Sequence, residues 1–379
     1  MTSTIARHRL RRGTVALAAA LAVCLSVAAT GVATADPNPA SPGTPPAAKT
    51  QTQIYAAVGA DAFAELTNNF AGIYNTNVAP GATDPVIASY DAVNPVTAAS
   101  GETITTKPGC NLPRPNGANG GLTQILNNQL STVDSTTPCI DFVRASRSKK
   151  ADGTEASLTF YAQSRDAVGY ATVGNAYAPT TPLTAAQLKD IFECTITDWS
   201  EVGGQAGAIH VYTQPTTAAT YTFFLQAIGS TLNNVSTGCG PAATLSQQND
   251  GRSVLGDPQG IAPYAITKWA AQQNGAPGIA DLRGGTTLGL IGATSVSPTT
   301  TQTLDGVDYQ VLNPAFTAAN PSFSRIFFNA VRNSAPAALK AVFEPTGYLC
   351  THQDALLVPF GNTPLGTNQA ATTYCGQPN

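Results

Sequence analysis

Residues Gln214 to Gly229, QPTTAATYTFFLQAIG, are the stretch that indicates the fold most directly. Pro215 ends the preceding strand, and Thr216 or Thr217 can cap a helix that follows. The first backbone N–H groups of this helix then lie beside several hydroxyls, which is the chemistry of an anion-binding turn. The alternative is a helix that is simply capped, because most helices begin in this way. The helix itself is predicted by four apolar residues at i, i+3, i+4 and i+7, namely Tyr221, Phe224, Leu225 and Ile228.

The same kind of turn, rich in Gly or Thr and followed by a helix, recurs along the chain. The turns are Gly59 to Asp61, Gly117 to Gly121 and Thr216 to Thr220. Backbone N–H groups at helix starts and in turns bind anions, so three such turns that converge would surround an oxyanion. The sequence therefore predicts an anion site built from backbone groups and hydroxyls.

Predicted strands and helices alternate, beginning with a strand at Ile54 to Val58, a tight turn and an amphipathic helix. A capping box at Thr184 to Gln187 begins a later helix, and Asn119 is predicted to cap another. The alternation predicts α/β layers with predominantly parallel strand pairing. Other predicted segments are strands at Ile87 to Asp91, Cys139 to Val143, Ala156 to Ala162, Tyr170 to Val173 and Ile209 to Tyr212, a strand and helix within Ile261 to Gly275, and a helix from Phe323 to Val331.

A basic run follows the predicted strand at Cys139 to Val143. Ser146 and Arg147 stand at the carboxyl end of this strand, where ligands bind in open α/β sheets. Arg144 and Arg147 can each offer a fixed, forked positive charge to an anion. The alternative is a solvated basic edge that continues into the two lysines that follow.

Residues 1–35 have the three parts of an export signal: a basic region, an apolar region and a small-residue cleavage site ending at Ala35. The mature protein is therefore expected to be secreted, and to be extracellular or associated with the cell wall. Cys24 faintly resembles the modified residue of a lipoprotein, but more apolar sequence follows it, which argues against a lipid anchor. Residues 36–51 are rich in Pro and nearly uncharged, which predicts an extended linker.

Length and charge exclude several classes of protein. A chain of 379 residues is longer than one hydrophobic core usually serves, so two lobes are expected. The formal net charge is −3 and only 11% of residues are charged, whereas a nucleic-acid-binding protein would need a basic stripe. No apolar run after the signal reaches the roughly 18 residues that a membrane helix requires.

The cysteines predict disulfides rather than a metal site. One of the seven, Cys24, lies in the signal, and the rest form an even set in an oxidising compartment. Their spacing contains no C-x-x-C pair, which argues against zinc. Many connectivities are open to such a set. Sequential pairing closes three modest loops and is adopted as the hypothesis: Cys110 with Cys139, Cys194 with Cys239, and Cys350 with Cys375.

No catalytic motif stands out in the sequence. G-x-S-x-G, the P-loop and H-E-x-x-H are all absent. His210 lies in an apolar strand and is interpreted as structural, and the carboxylates have no spacing that pairs two of them for acid–base catalysis. We therefore expect a protein that is not an enzyme and that needs no cofactor or metal.

LTAAQLKDIFECTITDWSEVGG, residues 183–204, is the most specific of several segments, in order along the chain, that resemble the phosphate-type substrate-binding proteins of ABC importers, and within them a secreted actinobacterial branch. The resemblance covers most of residues 53–270 and, more loosely, the remainder. Other matching segments are VYTQPTTAATYTFFLQAIG, IAPYAITKWAAQQNG, AAVGADAF, ITTKPGC, RPNGANGG and IDFVRASRS.

The resemblance implies an α/β fold of the periplasmic-binding-protein type II, with two lobes, a hinge and an interlobe cleft. One lobe would hold residues 52–168 plus 262–379, and the other residues 169–261. Several of the family's ligand-binding Ser and Gly positions carry Ala in this chain, and no Arg stands shortly before the turn at Ala218. The ligand-binding positions of the family fall on Ala60, Asp61, Ala118, Asn119, Gly120, Ser146, Arg147, Thr216, Thr217, Ala218, Ala219 and Thr220.

This likeness implies a secreted, monomeric solute-binding protein that captures phosphate or a related oxyanion in the cleft for uptake. An ABC permease at the membrane is the implied partner. The alanine replacements and the Pro-rich linker motivate an alternative, a cell-surface interaction protein that has lost small-ligand binding. A further alternative is a secreted phosphoester hydrolase that uses Asp61 in the same cleft.

Overall fold

The computed structural model describes Asp36 and residues 49–379, apart from Ala98, Asn175, Thr217, residues 236–242 and residues 245–247. The predicted signal peptide, most of the predicted linker and Cys239 lie outside the described residues. Among the described helices, none combines the length and apolar character that crossing a membrane requires.

Strands and helices alternate through most of the described chain. The strands are β1 (Ile54–Gly59), β2 (Val86–Ser89), β3 (Thr103–Lys107), β4 (Cys110–Pro113), β5 (Phe142–Ala145), β6 (Leu158–Val173), β7 (His210–Thr213), β8 (Ala243–Thr244), β9 (Gly260–Ala265), β10 (Thr286–Leu288), β11 (Thr299–Leu304), β12 (Val307–Leu312), β13 (Ser324–Arg332) and β14 (Thr363–Pro364). The helices are α1 (Ala64–Asn77), α2 (Gly117–Asn127), α3 (Ala185–Phe192), α4 (Ala219–Ala227), α5 (Arg252–Leu255), α6 (Ile266–Asn274), α7 (Pro314–Ala319), α8 (Ala337–Phe343), α9 (Tyr348–Thr351) and α10 (Gln353–Leu357).

One mixed sheet runs through the molecule in the order β2-β1-β5-β13-β6-β9-β7-β8. Pairing is parallel among β2, β1 and β5 at one end and among β9, β7 and β8 at the other. In the centre, β13 runs antiparallel to both β5 and β6, and β6 runs antiparallel to β9. The prediction of predominantly parallel pairing is therefore wrong for the centre, because β13 returns late in the chain and inserts between β5 and β6.

The long central strand β6 replaces two predicted strands. The expected break between Ala162 and Tyr170 does not occur, and a single strand spans Leu158–Val173. Polar residues in its middle are hydrogen-bonded inside the fold: Ser164 donates to Asn362 Oδ1 (2.8 Å). Because Ser164 has a partner in the interior, its hydroxyl does not interrupt the strand.

The segment predicted as a helix at Phe323 to Val331 is the strand β13, so that prediction is wrong. Phe327, Ala330 and Val331 are fully buried, and Phe328 nearly so, in the centre of the sheet. A strand covered on both faces shows a continuous apolar run rather than alternation, and such a run cannot be distinguished from a buried helix by periodicity alone.

The apolar stripe of α4 and the capping box of α3 are confirmed. Tyr221, Phe224, Leu225 and Ile228 are each at most 3% exposed and pack into one core with α3 and Trp199. The capping box is closed by the Thr184 side chain, which accepts from the backbone N–H of Gln187. Local sequence patterns therefore predicted the buried stripe of α4 and the start of α3 correctly.

Two of the three predicted disulfides are confirmed, Cys110–Cys139 and Cys350–Cys375. The first joins the start of β4 to the segment before β5, and the second joins α9 to the C-terminal tail. The predicted pair of Cys194 with Cys239 involves a residue outside the described part of the chain and stays a prediction.

The predicted linker contacts the folded chain at both of its ends. Asp36 is buried and forms an ion pair with Arg114, with Nη2 and Oδ2 2.9 Å apart. Lys49 donates to the carbonyl groups of Gly81 and Asp84 at 3.1 and 3.0 Å. Asp36 is thus an exception to the expected free spacer, because its carboxylate neutralises a buried arginine.

Removal of the first disulfide should destabilise the protein. Replacement of both Cys110 and Cys139 by Ser is expected to lower the free energy of unfolding by about 3–4 kcal/mol, because the bond closes a loop with a sequence separation of 29 residues. Guanidinium chloride unfolding of the oxidised protein measures this loss. A variant with Ala at both positions controls for buried hydroxyls, and a loss below about 1 kcal/mol in both variants would contradict the expectation.

Candidate functional site

Arg144 holds together the carboxyl ends of β1, β2 and β5. Its fully buried guanidinium donates to the Ala60 carbonyl (3.1 Å), Ser89 Oγ (2.8 Å) and the Tyr90 carbonyl (2.6 Å). Burial lowers the pKa of Arg144 to about 10, against the effect of nearby carboxylates led by Asp91. All three nitrogen atoms donate to protein groups, so the interpretation as a solvated edge is wrong for this residue.

The first two predicted turns lie against each other because two glycines allow it. Gly59 has a φ of 124°, and a Cβ there would lie 2.5 Å from the Arg144 carbonyl oxygen. A Cβ on Gly121 would lie 2.9 Å from the Gly59 Cα atom. The absence of side chains therefore lets the first turns of α2 pack directly on the end of β1.

Three predicted ligand positions that carry alanine come together in one buried cluster. Ala60, Ala118 and Ala219 are 2%, 0% and 6% exposed and share this cluster with Phe63 and Phe327. The two phenylalanine rings stack with centroids 4.3 Å apart, and α2 contacts α4. These three positions therefore lie in the buried core and carry methyl groups in place of hydroxyls.

Asn119 and Arg147 are hydrogen-bonded to each other, and the Arg147 guanidinium also pairs with a carboxylate. Arg147 Nε donates to Asn119 Oδ1 at 2.8 Å, and its two Nη atoms contact the Glu155 carboxylate at 3.1 and 2.6 Å. The prediction that Asn119 caps α2 is wrong, because Asn119 lies inside this helix. The N-cap is Asn116. Of the other predicted positions nearby, Ser146 is buried and Gly120 is half-buried.

The start of α4 differs from the prediction. Ala218 is the N-cap, and no side chain of a described residue caps the helix. The Ala218 N–H donates to the Pro215 carbonyl (2.9 Å), a turn that delays the helix until Ala219. Because Ala218 holds the N-cap position, the prediction that Thr216 caps the helix is wrong. Thr216 is exposed, and Thr217 lies outside the described residues. Thr220 is buried in the first turn.

Asp61 faces an acidic cavity of about 350 Å³. Its Oδ2 atom accepts from Asn249 Nδ2 at 3.2 Å. Glu65, Asp91 and Asp250 line the same cavity, and Lys268 is one of its few cations. Carboxylates repel an oxyanion, so Asp61 fits the predicted ligand set less well than the residues at the helix starts.

Burial shapes the charge of this cavity. The pKa of Asp91 lies well above its ordinary value because of burial, and the charge of Glu65 adds to the shift. Asn68 Nδ2 donates to its Oδ1 atom at 2.7 Å. For Lys268, burial lowers the pKa, but the contact with Glu65 and the charge of Asp61 outweigh burial and raise it. The fold therefore disfavours the charged form of Asp91 and favours the charged form of Lys268.

A buried guanidinium that the sequence did not indicate lies at the first turn of α4. Arg325 on β13 is 5% exposed, donates from Nε to Asp166 Oδ2 (2.7 Å) and donates from Nη2 to Thr220 Oγ1 (3.1 Å). Within the described part of the chain, its Nη1 atom has no hydrogen-bond partner. Sequence reasoning missed Arg325 because its segment was predicted as a helix. The one available signal was an arginine inside an apolar run.

Few of the described side chains are placed for metal binding or for a catalytic triad. In the described ranges, no group of three or more His, Cys, Asp or Glu side chains is arranged to hold a metal ion. His210 pairs with Asp257 (Nδ1 to Oδ2, 2.7 Å), and the Tyr212 hydroxyl donates to the same oxygen at 2.9 Å.

Comparison with known proteins places the chain in a broad family. The model of the PBP superfamily domain matches residues 75–343. A proposed phosphate ABC transporter substrate-binding protein from Clostridium perfringens, solved with bound phosphate, superposes with a TM-score of 0.52 at 15% identity, over 82% of this chain and 98% of that one. An ABC-type phosphate transport receptor from Vibrio cholerae gives 0.51 at 16% identity, over 81% and 98%. At such identities the likeness concerns the fold alone, and it confirms the predicted two-lobed α/β class. No protein of curated function matches the chain.

Neutralising Asp91 should stabilise the protein at high pH. The folded state raises the pKa of this carboxyl, so it binds a proton that the unfolded state releases, and the resulting stabilisation is lost as pH rises through the folded-state pKa. The Asp91→Asn variant should therefore melt above the wild type at pH 8, and the difference should shrink toward pH 4. Differential scanning fluorimetry across this range measures it. Asp152→Asn, at an exposed position, is the control, and a variant of Asp91 that melts below the wild type at pH 8 would contradict the expectation.

Proposed function

The chain belongs to the PBP superfamily, and on this premise we propose that it is a solute-binding protein that captures phosphate or a related oxyanion for uptake. It binds its solute without transforming it. The solute lies where the starts of α2 and α4 approach each other, between the two lobes.

The observation that carries this proposal is the meeting of two helix N-termini. Among the described residues no side chain caps α4, α2 and α4 contact each other, and Ala118 and Ala219 in their first turns belong to the same buried cluster. Helix N-termini bind anions because backbone N–H groups and the helix dipole both favour negative charge. The two solved structures of the same fold that were compared above are phosphate-binding or phosphate-transport proteins by description, which supports phosphate as the first ligand to test.

Several finer features belong to the same proposal. The lobes are residues 52–168 plus 262–379 and residues 169–261, with the ligand in the cleft between them. The protein is exported through its N-terminal signal, acts as a monomer and delivers the oxyanion to an ABC permease. The predicted ligand set is Ala60, Asp61, Ala118, Asn119, Gly120, Ser146, Arg147, Thr216, Thr217, Ala218, Ala219 and Thr220.

A second candidate function follows from the alanine cluster. Ala60, Ala118 and Ala219 belong to the buried cluster that contains Phe63 and Phe327, and they offer no hydroxyl to a ligand. A protein that kept the scaffold and lost small-ligand binding would show such packing. In that case the protein acts at the cell surface through contacts with other macromolecules.

Titration of the purified mature protein with inorganic phosphate distinguishes the two functions. Calorimetry should show saturable binding with one site, and the fluorescence of Trp199 and Trp269 should change with the same midpoint. Phosphate at about 100 times its Kd should add about 2.7 kcal/mol to the free energy of unfolding, because the ligand binds only the folded state.

Two controls accompany the titration. Sulfate and chloride at equal ionic strength test whether the effect is specific to phosphate. Lys340→Ala removes an exposed cation on α8, and its Kd should equal that of the wild type. Absence of saturable heat, of a fluorescence change and of thermal stabilisation would overturn the proposal for phosphate and favour the interaction protein.

A further inference from the structure

Arg325 has a donor that the protein itself does not use. Its side chain is 2% exposed, and its Nε and Nη2 atoms contact Asp166 Oδ2 and Thr220 Oγ1. Within the described residues, Nη1 has no acceptor. A buried guanidinium N–H without a partner lowers the stability of the folded state. Such a group calls for an explanation, and one explanation is a ligand that binds it.

The free donor lies at the start of α4. Both Nη atoms of a guanidinium are bonded to the same carbon, so Nη1 lies close to the first turn that Nη2 reaches through Thr220. This helix has nine residues and, among the described residues, no side-chain cap, so its first N–H groups can bind an anion. The Thr220 hydroxyl accepts from Arg325, and its own proton can be donated to a ligand.

The position of the guanidinium is fixed from several sides. Asp166 Oδ2 binds Arg325, and Oδ1 accepts from the backbone N–H and hydroxyl of Thr267 at 3.2 and 2.7 Å. The guanidinium carbon lies 5.6 Å from the centroid of the Phe223 ring and 5.2 Å from that of Phe327. A donor held in this way loses little entropy when a ligand binds.

The other arginines near the helix starts cannot serve in the same way. The nitrogen atoms of Arg144 donate to carbonyl and hydroxyl groups of the protein. Those of Arg147 donate to Asn119, the Ser148 carbonyl and Glu155. Arg325 is therefore the arginine of these three whose guanidinium keeps an Nη atom without a protein acceptor in the described chain.

We propose that Arg325 supplies the fixed positive charge of the binding site, and that Nη1, the Thr220 hydroxyl and the first N–H groups of α4 together bind the oxyanion. This inference rests on the proposed function and assigns to it a residue outside the predicted ligand set. Arg147 does not supply this charge, because both of its Nη atoms donate to the Glu155 carboxylate.

Phosphate titration of Arg325→Lys tests the assignment. Lysine keeps the charge next to Asp166 but removes the forked donor, so the Kd for phosphate should rise about tenfold to a hundredfold. Thr220→Val, which removes only the hydroxyl, should also raise the Kd by several-fold. Arg332→Lys, at the far end of the same strand, is the matched control and should bind as the wild type does. Circular dichroism and the melting temperature without phosphate establish whether each variant is folded.

The outcomes separate this inference from the proposed function. If the wild type does not bind phosphate, both are overturned. If the wild type binds and folded Arg325→Lys binds equally well, the assignment of Arg325 is overturned and the proposed function stands. If Arg325→Lys does not fold, Thr220→Val decides: an unchanged Kd overturns the assignment, and a raised Kd supports it.

Discussion

The buried ion pair of Asp166 and Arg325 is the interaction on which the arrangement of the molecule depends. It joins the central strands β6 and β13, and through Thr220 and Thr267 it reaches the first turns of α4 and α6. Buried charges are tolerated only when they are paired and hydrogen-bonded, and loss of one partner costs about 3–5 kcal/mol. The pair therefore fixes where two helices begin relative to the sheet, and with them the position of the proposed anion site.

A second buried arginine organises the other side of the site. Arg144 connects the carboxyl ends of β1, β2 and β5 through its hydrogen bonds. The close approach of Gly59 and Gly121 lets α2 pack on the end of β1. Because positions such as Ala118 and Ala219 carry small apolar side chains in the buried core, the polar groups that these turns can offer a ligand are mainly backbone N–H groups. The proposed site would thus depend on backbone geometry more than on hydroxyl side chains.

Much of the fold could be predicted from local patterns. The stripe of α4, the capping box at Thr184, two disulfides and the α/β class are confirmed, because each depends on spacing within a short stretch or on a simple parity of cysteines. The errors have different causes. The strand β13 was predicted as a helix because burial on both faces of a central strand removes the alternation by which strands are recognised. The strand β6 was predicted as two strands because polar residues lie in its middle, and their buried partners, such as Asn362 for Ser164, come from distant parts of the chain.

The sequence by itself determined that several helices follow small-residue turns. Its resemblance to a family of binding proteins implied that these turns lie at a ligand-binding cleft. Only the tertiary structure decided which charged groups meet there. Arg147, close to the predicted turns in the chain, is paired with Glu155, whereas Arg325 comes from a segment more than a hundred residues beyond α2 and reaches Thr220. The physical reason is that an ion pair depends on distance in space, and strand order in the sheet sets that distance.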